Sequence, residues 1–277
     1  MTELVYHTES GWEAQENSEF QALMQQMESF KSAGQKYEFC ELVVFGFMSQ
    51  FFGGQASWQA NVIKHLSNNE LYDTQAIEYP FDQVVNSGLN NTGADGQNEP
   101  SESDYELTHQ AYLAANNLLQ DLYTNPIFDG TKIPQEVLNN LVSIFGLSQG
   151  DIEWNLETVT VDGTQENIEV PSFNANYDPD DPNDKTNSPV GKTTNFWYQG
   201  AHYAAGDPDF TKWMDQMQVV SQKIQQTISF FTDMSSTSQS EVNFDMSEQK
   251  EYLGSWHSLL KAVATMFQTW VHNELTN

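Results

Sequence analysis

Apolar residues near the C terminus recur at the spacing of two long helices. The first pattern repeats every seven positions, at Phe210, Met217, Ile224 and Phe231. The second alternates spacings of three and four, as in the seam of a coiled-coil helix, at Leu253, Trp256, Leu260, Val263, Phe267 and Trp270. A polar segment of about a dozen residues separates them. The sequence therefore predicts a long antiparallel helical hairpin over 207–277.

Upstream of this hairpin the pattern predicts further amphipathic helices. One begins at Ser18, because Ser18 and Gln21 have the spacing of a capping box ahead of an apolar helical stripe. Residues 37–52 are apolar nearly all round and predict a buried helix, which Gly53 and Gly54 interrupt. Shorter helical patterns follow at 55–66, 103–124 and 134–146.

One segment has the alternation of a β-hairpin. Threonine and valine alternate over 158–161, and an apolar-polar-apolar run follows at 168–170, on either side of Asp162 and Gly163. That dipeptide is favoured in tight hairpin turns. Two strands alone are marginally stable, so we expect this hairpin, at about 156–170, to pack on helices.

The remaining stretches define the predicted domain organisation. Residues 1–17 are polar and predict a loosely ordered N-terminus. The Gly-, Asn- and Ser-rich stretch 90–103 predicts a flexible loop, and 171–206 predicts a long irregular insertion because it shows little periodicity. The sequence thus predicts a mainly α protein, a multi-helix bundle built on the C-terminal hairpin, as a single helical domain over 18–277.

The excess of acidic over basic residues limits which classes of partner the protein is expected to bind. The formal net charge is -29, and all ten basic residues are lysine. Nucleic-acid binding needs a Lys/Arg surface that releases counterions, so it is not expected. Without arginine the chain also lacks the bidentate donor that proteins use for phosphate and carboxylate ligands. An acidic inhibitor that mimics nucleic acid for a basic partner is one alternative function.

The sequence carries no sign of membrane insertion or of a cleaved signal. The first residues lack a basic region followed by an apolar run. The most apolar segment, 39–52, is shorter than the roughly 20 residues that span a bilayer. We expect no membrane span, and any export would use a signal-independent route. The single cysteine, Cys40, excludes an intrachain disulfide.

Motifs of catalysis are incomplete. Gly191–Thr194 ends like a phosphate-binding loop, but Thr186 stands where that motif needs glycine. Glu106 and His109 have the spacing of a carboxylate di-metal motif, which needs a second copy that the sequence lacks. The six histidines are scattered without a local triad pattern. The interpretation leans against an enzyme, and no cofactor is predicted.

Two groups of residues are candidates for binding. Dense carboxylates are hard oxygen ligands for calcium, which gives a weak calcium site at Asp178, Asp180, Asp181 and Asp184, although these residues do not follow the EF-hand pattern. Aromatic residues supply large contact area, so Trp256 and Trp270 on the C-terminal seam and Trp197 and Tyr198 in the irregular stretch are candidate interaction residues.

In layout and composition the whole chain resembles hydrophilic substrates of bacterial contact-dependent secretion machines, such as needle-tip and filament subunits. The resemblance implies an exported, non-enzymatic structural protein that docks to a partner, or to itself, through helix surfaces. One departure is the interruption at Gly53 and Gly54, where tip proteins often have one long helix. A ligand-binding or hydrolytic protein with its site in 171–206 is a further alternative.

Overall fold

The computed structural model describes residues 9–39, 43–92, 99–128, 131–161, 164–204 and 207–276. The fold is mainly helical with one small β-hairpin, which confirms the predicted fold class. Its elements are, in order, α1 Glu9–Ser29, α2 Ala33–Phe39, α3 Phe45–His65, a π-helical turn Leu66–Glu70, α4 Leu71–Asn90, α5 Glu102–Thr124, α6 Ile133–Ile144, β1 Ile152–Val161, β2 Thr164–Phe173, α7 Asp184–Asn187, α8 Pro189–Tyr198 and α9 Pro208–Thr276.

The described residues form two compact units. Residues 65–234 make up the first unit, and 9–64 together with 235–276 make up the second. The sequence predicted one domain over 18–277. Helix α1 begins at Glu9, so part of the predicted loose N-terminus is helical and Ser18 lies inside the helix rather than at its cap. The predicted loop at 90–103 lies partly outside the described residues.

Helix α5 forms the centre of the first unit, where α4, α6, α8 and β2 pack on it. Small residues on its buried faces allow this close packing, and they alternate with large ones in the core: Ala111, Tyr112, Ala115, Leu118, Leu119 and Leu122. The helix starts with a capping box in which Ser101 and Asp104 bond to each other's backbone amides. A serine cap followed by an acid at this spacing satisfies two otherwise unpaired donors.

Helix α8 corrects the prediction of an irregular insertion over 171–206. Ser188 caps the helix by accepting a hydrogen bond from the Gly191 amide at 3.0 Å, and Pro189 occupies the first turn. This Ser-Pro start is typical of a helix, but the prolines around it also fit an extended loop. The buried Thr193 hydroxyl donates to the Phe145 carbonyl at 2.7 Å, which fixes α8 against the end of α6.

The C-terminal region corrects the predicted antiparallel hairpin. Helix α9 begins at Pro208, with Asp207 Oδ1 accepting the Asp209 amide as expected for a cap, but it continues to Thr276. The polar segment near 232–244 contains serine and threonine but neither glycine nor proline. Serine and threonine lower helix propensity by only a few tenths of a kcal/mol, so they do not end a helix. Asp245, just after this segment, has the side chain of a helix cap but is buried within α9.

The pair Gly53 and Gly54 lies inside α3 and does not interrupt it. A side chain added at Gly53 would collide with Gln249 of α9, both in the second unit. Gly53 therefore leaves room for the end of the Gln249 side chain against the backbone of α3, a role that the helix-breaking tendency of glycine hides in the sequence.

The β-hairpin is longer than predicted. Strand β1 pairs antiparallel with β2 from Ile152 opposite Phe173 to Val161 opposite Thr164. The predicted turn residues 162 and 163 lie outside the described residues. Asn116 of α5 anchors the base of the hairpin, because its side chain accepts a hydrogen bond from the Phe173 amide at 2.8 Å and donates one to the Phe173 carbonyl at 2.9 Å.

Candidate functional site

The two aromatic residues predicted to bind a partner from the irregular stretch lie in the core. Trp197 is fully buried and Tyr198 is 1% exposed. The Trp197 indole donates to the Ile144 carbonyl at 2.9 Å, and its ring lies 5.4 Å from that of Phe81. Trp197 thus packs α8 against α6 and α4 in the core. Neither residue offers a docking surface.

The other predicted pair is on α9. Trp256 is half-buried in the second unit and lines a cavity of about 720 Å³ with residues of α1 and α3, among them Leu23 and Phe47. Its Nε1 atom is buried and has no acceptor among the described residues. The side chain of Trp270 lies outside the described residues.

Replacing Trp256 with phenylalanine is expected to leave stability unchanged or to raise it by about 1 kcal/mol, because the change removes a buried donor without a partner. Chemical denaturation followed by far-UV circular dichroism measures this. A loss of more than about 2 kcal/mol would show that the indole N–H is satisfied in the folded protein. Tyr252→Phe on the same helix is the control for a lost polar atom at a half-buried position.

The predicted calcium residues are used in local turns. Asp178 Oδ1 accepts the Asp180 amide at 3.0 Å, and Asp184 Oδ2 accepts the Asp178 amide at 2.7 Å. Asp181 Oδ1 likewise accepts the Asn183 amide at 2.9 Å. Such carboxylates favour turns without any ion. Calcium binding by this loop stays a prediction from the sequence.

The hairpin exposes large apolar side chains. We name β1 Ile152–Val161 and β2 Thr164–Phe173 the acidic ribbon. On one face, Ile152 is buried at the base, whereas Trp154 is 49% exposed and Leu156 is 69% exposed. Ile152, Trp154 and Leu156 thus form an apolar stripe that extends from the core to the exposed part of β1. Exposed apolar groups on a strand mark interaction surfaces more often than isolated surface leucines do.

The acidic ribbon also has unpaired edges. Its sheet contains β1 and β2 alone among the described residues, so the outer edge of each strand lacks a neighbouring strand there. Strand β2 packs on α5, and the Gln120 side chain donates to Glu157 Oε2 at 2.7 Å. Natural proteins usually blunt such edges with lysine or proline. Strand β2 contains Pro171 and packs on α5, whereas β1 contains neither lysine nor proline, so the outer edge of β1 is the one suited to pairing.

The charged residues of the acidic ribbon itself all have one sign. Residues 133–184 contain no lysine, arginine or histidine. Three glutamates of the two strands are exposed, Glu153, Glu166 and Glu169, and Glu157 is partly exposed. A surface with one sign of charge raises the local concentration of oppositely charged partners.

A second cluster of polar residues lies in the first unit, at the π-helical turn Leu66–Glu70. His65 precedes this turn and Glu70 ends it, and the Glu70 Oε1 atom lies 3.1 Å from His65 Nε2. From α5, Asp121 Oδ2 lies 2.9 Å from the same nitrogen. Asn125 follows Asp121 by one helical turn, and its Nδ2 atom lies 2.6 Å from the Nε2 atom of His65. We name His65, Glu70 and Asp121 the His65 cluster.

The electrostatics of the His65 cluster are those of partly buried acids around one imidazole. Burial lowers the pKa of His65, but hydrogen bonds and charge attraction from Asp121 and Glu70 outweigh it and raise the pKa to about 10. Burial raises the pKa of Glu70 despite the opposing effect of His65. For Asp121 burial acts upward, yet its contacts with His65 and Asn69 leave the pKa lowered. Asp73 has a pKa raised to about 6 by burial and by the charge of Asp121.

The His65 cluster was not predicted from the sequence, because Asp121 is far from His65 and Glu70 in the chain. Glu70 and Asp121 carry no motif, and His65 was one of six scattered histidines. The π-helical turn, which brings His65 and Glu70 to one side, has no sequence signature. The i, i+4 pair Asp121 and Asn125 near the end of α5 is the one local signal that could have been noticed.

No helix within the described part of the chain is long and apolar enough to cross a membrane. In comparisons with protein families, curated proteins and solved structures, no match to the chain was found.

Proposed function

We propose that this protein is a non-enzymatic interaction protein that binds a basic, extended segment of a partner protein along the acidic ribbon. The observation that carries the proposal is Leu156, which is 69% exposed on a strand with an unpaired edge. A segment that adds to a sheet edge gains main-chain hydrogen bonds, and side chains beside it set the preferred sequence.

The chemistry of the partner follows from the chemistry of the acidic ribbon. Trp154 and Leu156 offer apolar contact on one face, and a bound strand that alternates apolar and polar residues presents its apolar side to them. Glu169 is exposed opposite Leu156 on the same face, and Glu153 is exposed on the other face of β1. They favour lysine or arginine on the partner, through attraction that speeds association and weakens as salt rises.

The alternatives of the sequence analysis predict different behaviour. A nucleic-acid mimic binds through charge, so an exposed leucine contributes little to it. A hydrolytic site in 171–206 would need its candidate residues in one pocket, but Trp197 is fully buried while Asp180 and Asp181 lie in a surface turn.

Export by a bacterial secretion machine stays a prediction from the layout of the sequence. The uninterrupted helix α3, Phe45–His65, removes the departure that the two glycines had suggested. The continuous α9 fits the long C-terminal helix of that layout.

Binding of a synthetic peptide that alternates lysine and valine tests the proposal. We expect saturable one-to-one binding that is weakened at least about tenfold, or about 1.4 kcal/mol, by the double change Glu153→Lys with Glu169→Lys. Isothermal titration at several salt concentrations measures the affinity. The control is Asp215→Lys with Asp233→Lys, which alters net charge equally at exposed positions of α9 in the same unit. Equal weakening by both pairs would mean that only the overall charge attracts the peptide.

The change Leu156→Ser separates strand pairing from charge mimicry, since it leaves every charge in place. We expect it to weaken peptide binding at least about fivefold, or about 1 kcal/mol, because the apolar contact is lost. The matched control is Val219→Ser, a change at another exposed apolar residue, 51% accessible, of the first unit. Unchanged binding in Leu156→Ser would overturn the ribbon as the binding surface and leave the charge-mimic alternative.

A further inference from the structure

We infer that the His65 cluster binds one divalent transition-metal ion, with His65 Nε2, a Glu70 oxygen and Asp121 Oδ2 as its ligands. The inference is independent of the acidic ribbon, which lies elsewhere in the first unit. The end of α3, the π-helical turn and α5 each place one of the three side chains at this point.

The helical geometry brings the donors together. A π-helical turn is wider than an α-helical one, so residues five apart, here His65 and Glu70, come to the same side. Helix α5 packs across this turn and supplies Asp121. π-Helical turns within helices cost stability and occur frequently at functional sites.

The distances fit an ion. The three donor atoms lie within 4.8 Å of one another, and the two carboxylate oxygens are 2.9 and 3.1 Å from Nε2. Ligands bound at about 2.0–2.2 Å in tetrahedral or octahedral geometry are separated by about 2.9–3.5 Å. The observed separations from Nε2 are therefore those of neighbouring ligands around one metal ion.

Hydrogen bonds from His65 cannot pair all the carboxylate oxygens of the His65 cluster. A ring nitrogen carries at most one proton, yet Nε2 faces two carboxylate oxygens. Glu70 is completely buried, and neither of its oxygens receives a well-directed hydrogen bond from the described residues. The 3.1 Å contact of Glu70 Oε1 with His65 Nε2 is therefore an ion pair that has to share the single Nε2 proton with Asp121. A buried carboxylate without a donor is costly unless a cation compensates it.

The surrounding groups fit a metal site as well. Asn69 Nδ2 donates to Asp121 Oδ2 at 3.1 Å, the kind of outer contact that orients a ligating carboxylate. Asn125 Oδ1 accepts the Ile127 amide at 3.1 Å, which turns Nδ2 toward the imidazole. The side chains of His65 and Asp121 are 15% and 24% exposed, so an ion can enter from solvent.

The donor set selects the class of ion. Calcium and magnesium prefer sites made of oxygen ligands alone, whereas an imidazole with two carboxylates suits zinc, manganese or iron. The ligand types also distinguish the His65 cluster from the acidic turn, which we define as Asp178, Asp180, Asp181 and Asp184. The side chains of these aspartates offer only oxygen ligands.

Zinc titration of the chelator-treated full chain tests the inference. We expect one zinc ion per chain, with Glu70→Gln and Asp121→Asn each weakening binding at least about 10–100-fold, since loss of an outer contact alone has that effect. The control is Asp178→Asn with Asp181→Asn, which removes two carboxylates from the acidic turn and leaves zinc affinity unchanged. Absence of stoichiometric binding, or zinc affinity that follows the acidic turn instead, would overturn the inference.

A measurement on the unaltered chain covers the case in which a variant fails to fold. With cobalt in place of zinc, we expect paramagnetically shifted proton resonances of a single imidazole and a calcium-insensitive absorption spectrum. Cobalt binding without any shifted imidazole resonance contradicts His65 as a ligand. Displacement of cobalt by equimolar calcium contradicts a site containing nitrogen.

Discussion

Trp197→Ala is expected to destabilise the first unit by about 3–5 kcal/mol, because it opens a large cavity where α8 meets α6. The indole is fully buried, its ring lies 5.7 Å from that of Phe145, and its N–H donates to the Ile144 carbonyl. The loss comprises burial, packing and a buried carbonyl left without its donor. Denaturant unfolding followed by far-UV circular dichroism measures it.

Trp154→Ala is the matched control. This tryptophan is 49% exposed on β1, and we expect its removal to cost at most about 1 kcal/mol. A loss below about 1 kcal/mol in Trp197→Ala would place that residue on a surface, as the sequence-based hypothesis had it, and would contradict the packing described for α8.

Gln239→Pro is expected to cost about 3 kcal/mol, because proline removes a backbone donor and clashes with the preceding turn of a helix. Gln239 is exposed within α9, in the polar segment from which the sequence predicted a turn between two helices. The cost tests whether α9 continues through this segment. Thermal unfolding monitored by circular dichroism measures both the stability and the loss of helical signal.

The companion variant Gln239→Ala keeps the helix and removes the same side chain. It should be neutral or slightly stabilising, by a few tenths of a kcal/mol, because alanine has the higher helix propensity. If the proline and alanine variants unfold at the same temperature, the segment is a turn and the antiparallel hairpin is restored.

Patterns with one dominant physical cause were read correctly from the sequence. The alternation ending at Asp162 and Gly163 predicted the β-hairpin, since strand period and turn chemistry agree there. The predicted helical region begins at 207, and α9 begins at Pro208 with Asp207 as its cap, residue types that suit these two positions. In each case the local preference and the tertiary structure point the same way.

Predictions were wrong where tertiary packing decides between local alternatives. Gly53 and Gly54 can break a helix or lie within one, and in the structure both lie inside α3, with the Gln249 side chain close to Gly53. Pro189 can extend a loop or begin a helix, and the buried face of α8 selects the helix. The polar segment around Gln239 contains no glycine or proline, so nothing in its sequence ends a helix there.

The candidate sites were less predictable than the fold. Exposure of Leu156 depends on how much of the hairpin the helices cover, which alternation alone does not reveal. The His65 cluster depends on a π-helical turn and on a residue of α5 that is 56 positions away from His65 in the chain. Neither relation leaves a periodic signal in the sequence.

Amide hydrogen exchange of the protein with and without the lysine-valine peptide is the most direct test of the central claim, that the acidic ribbon is a docking edge. Added pairing at a strand edge slows exchange of the amides that gain hydrogen bonds. We predict that protection rises over 153–160 of β1 and stays unchanged along 208–234 of α9. Protection confined to α9, or peptide binding with no protected segment in the acidic ribbon, would contradict the account.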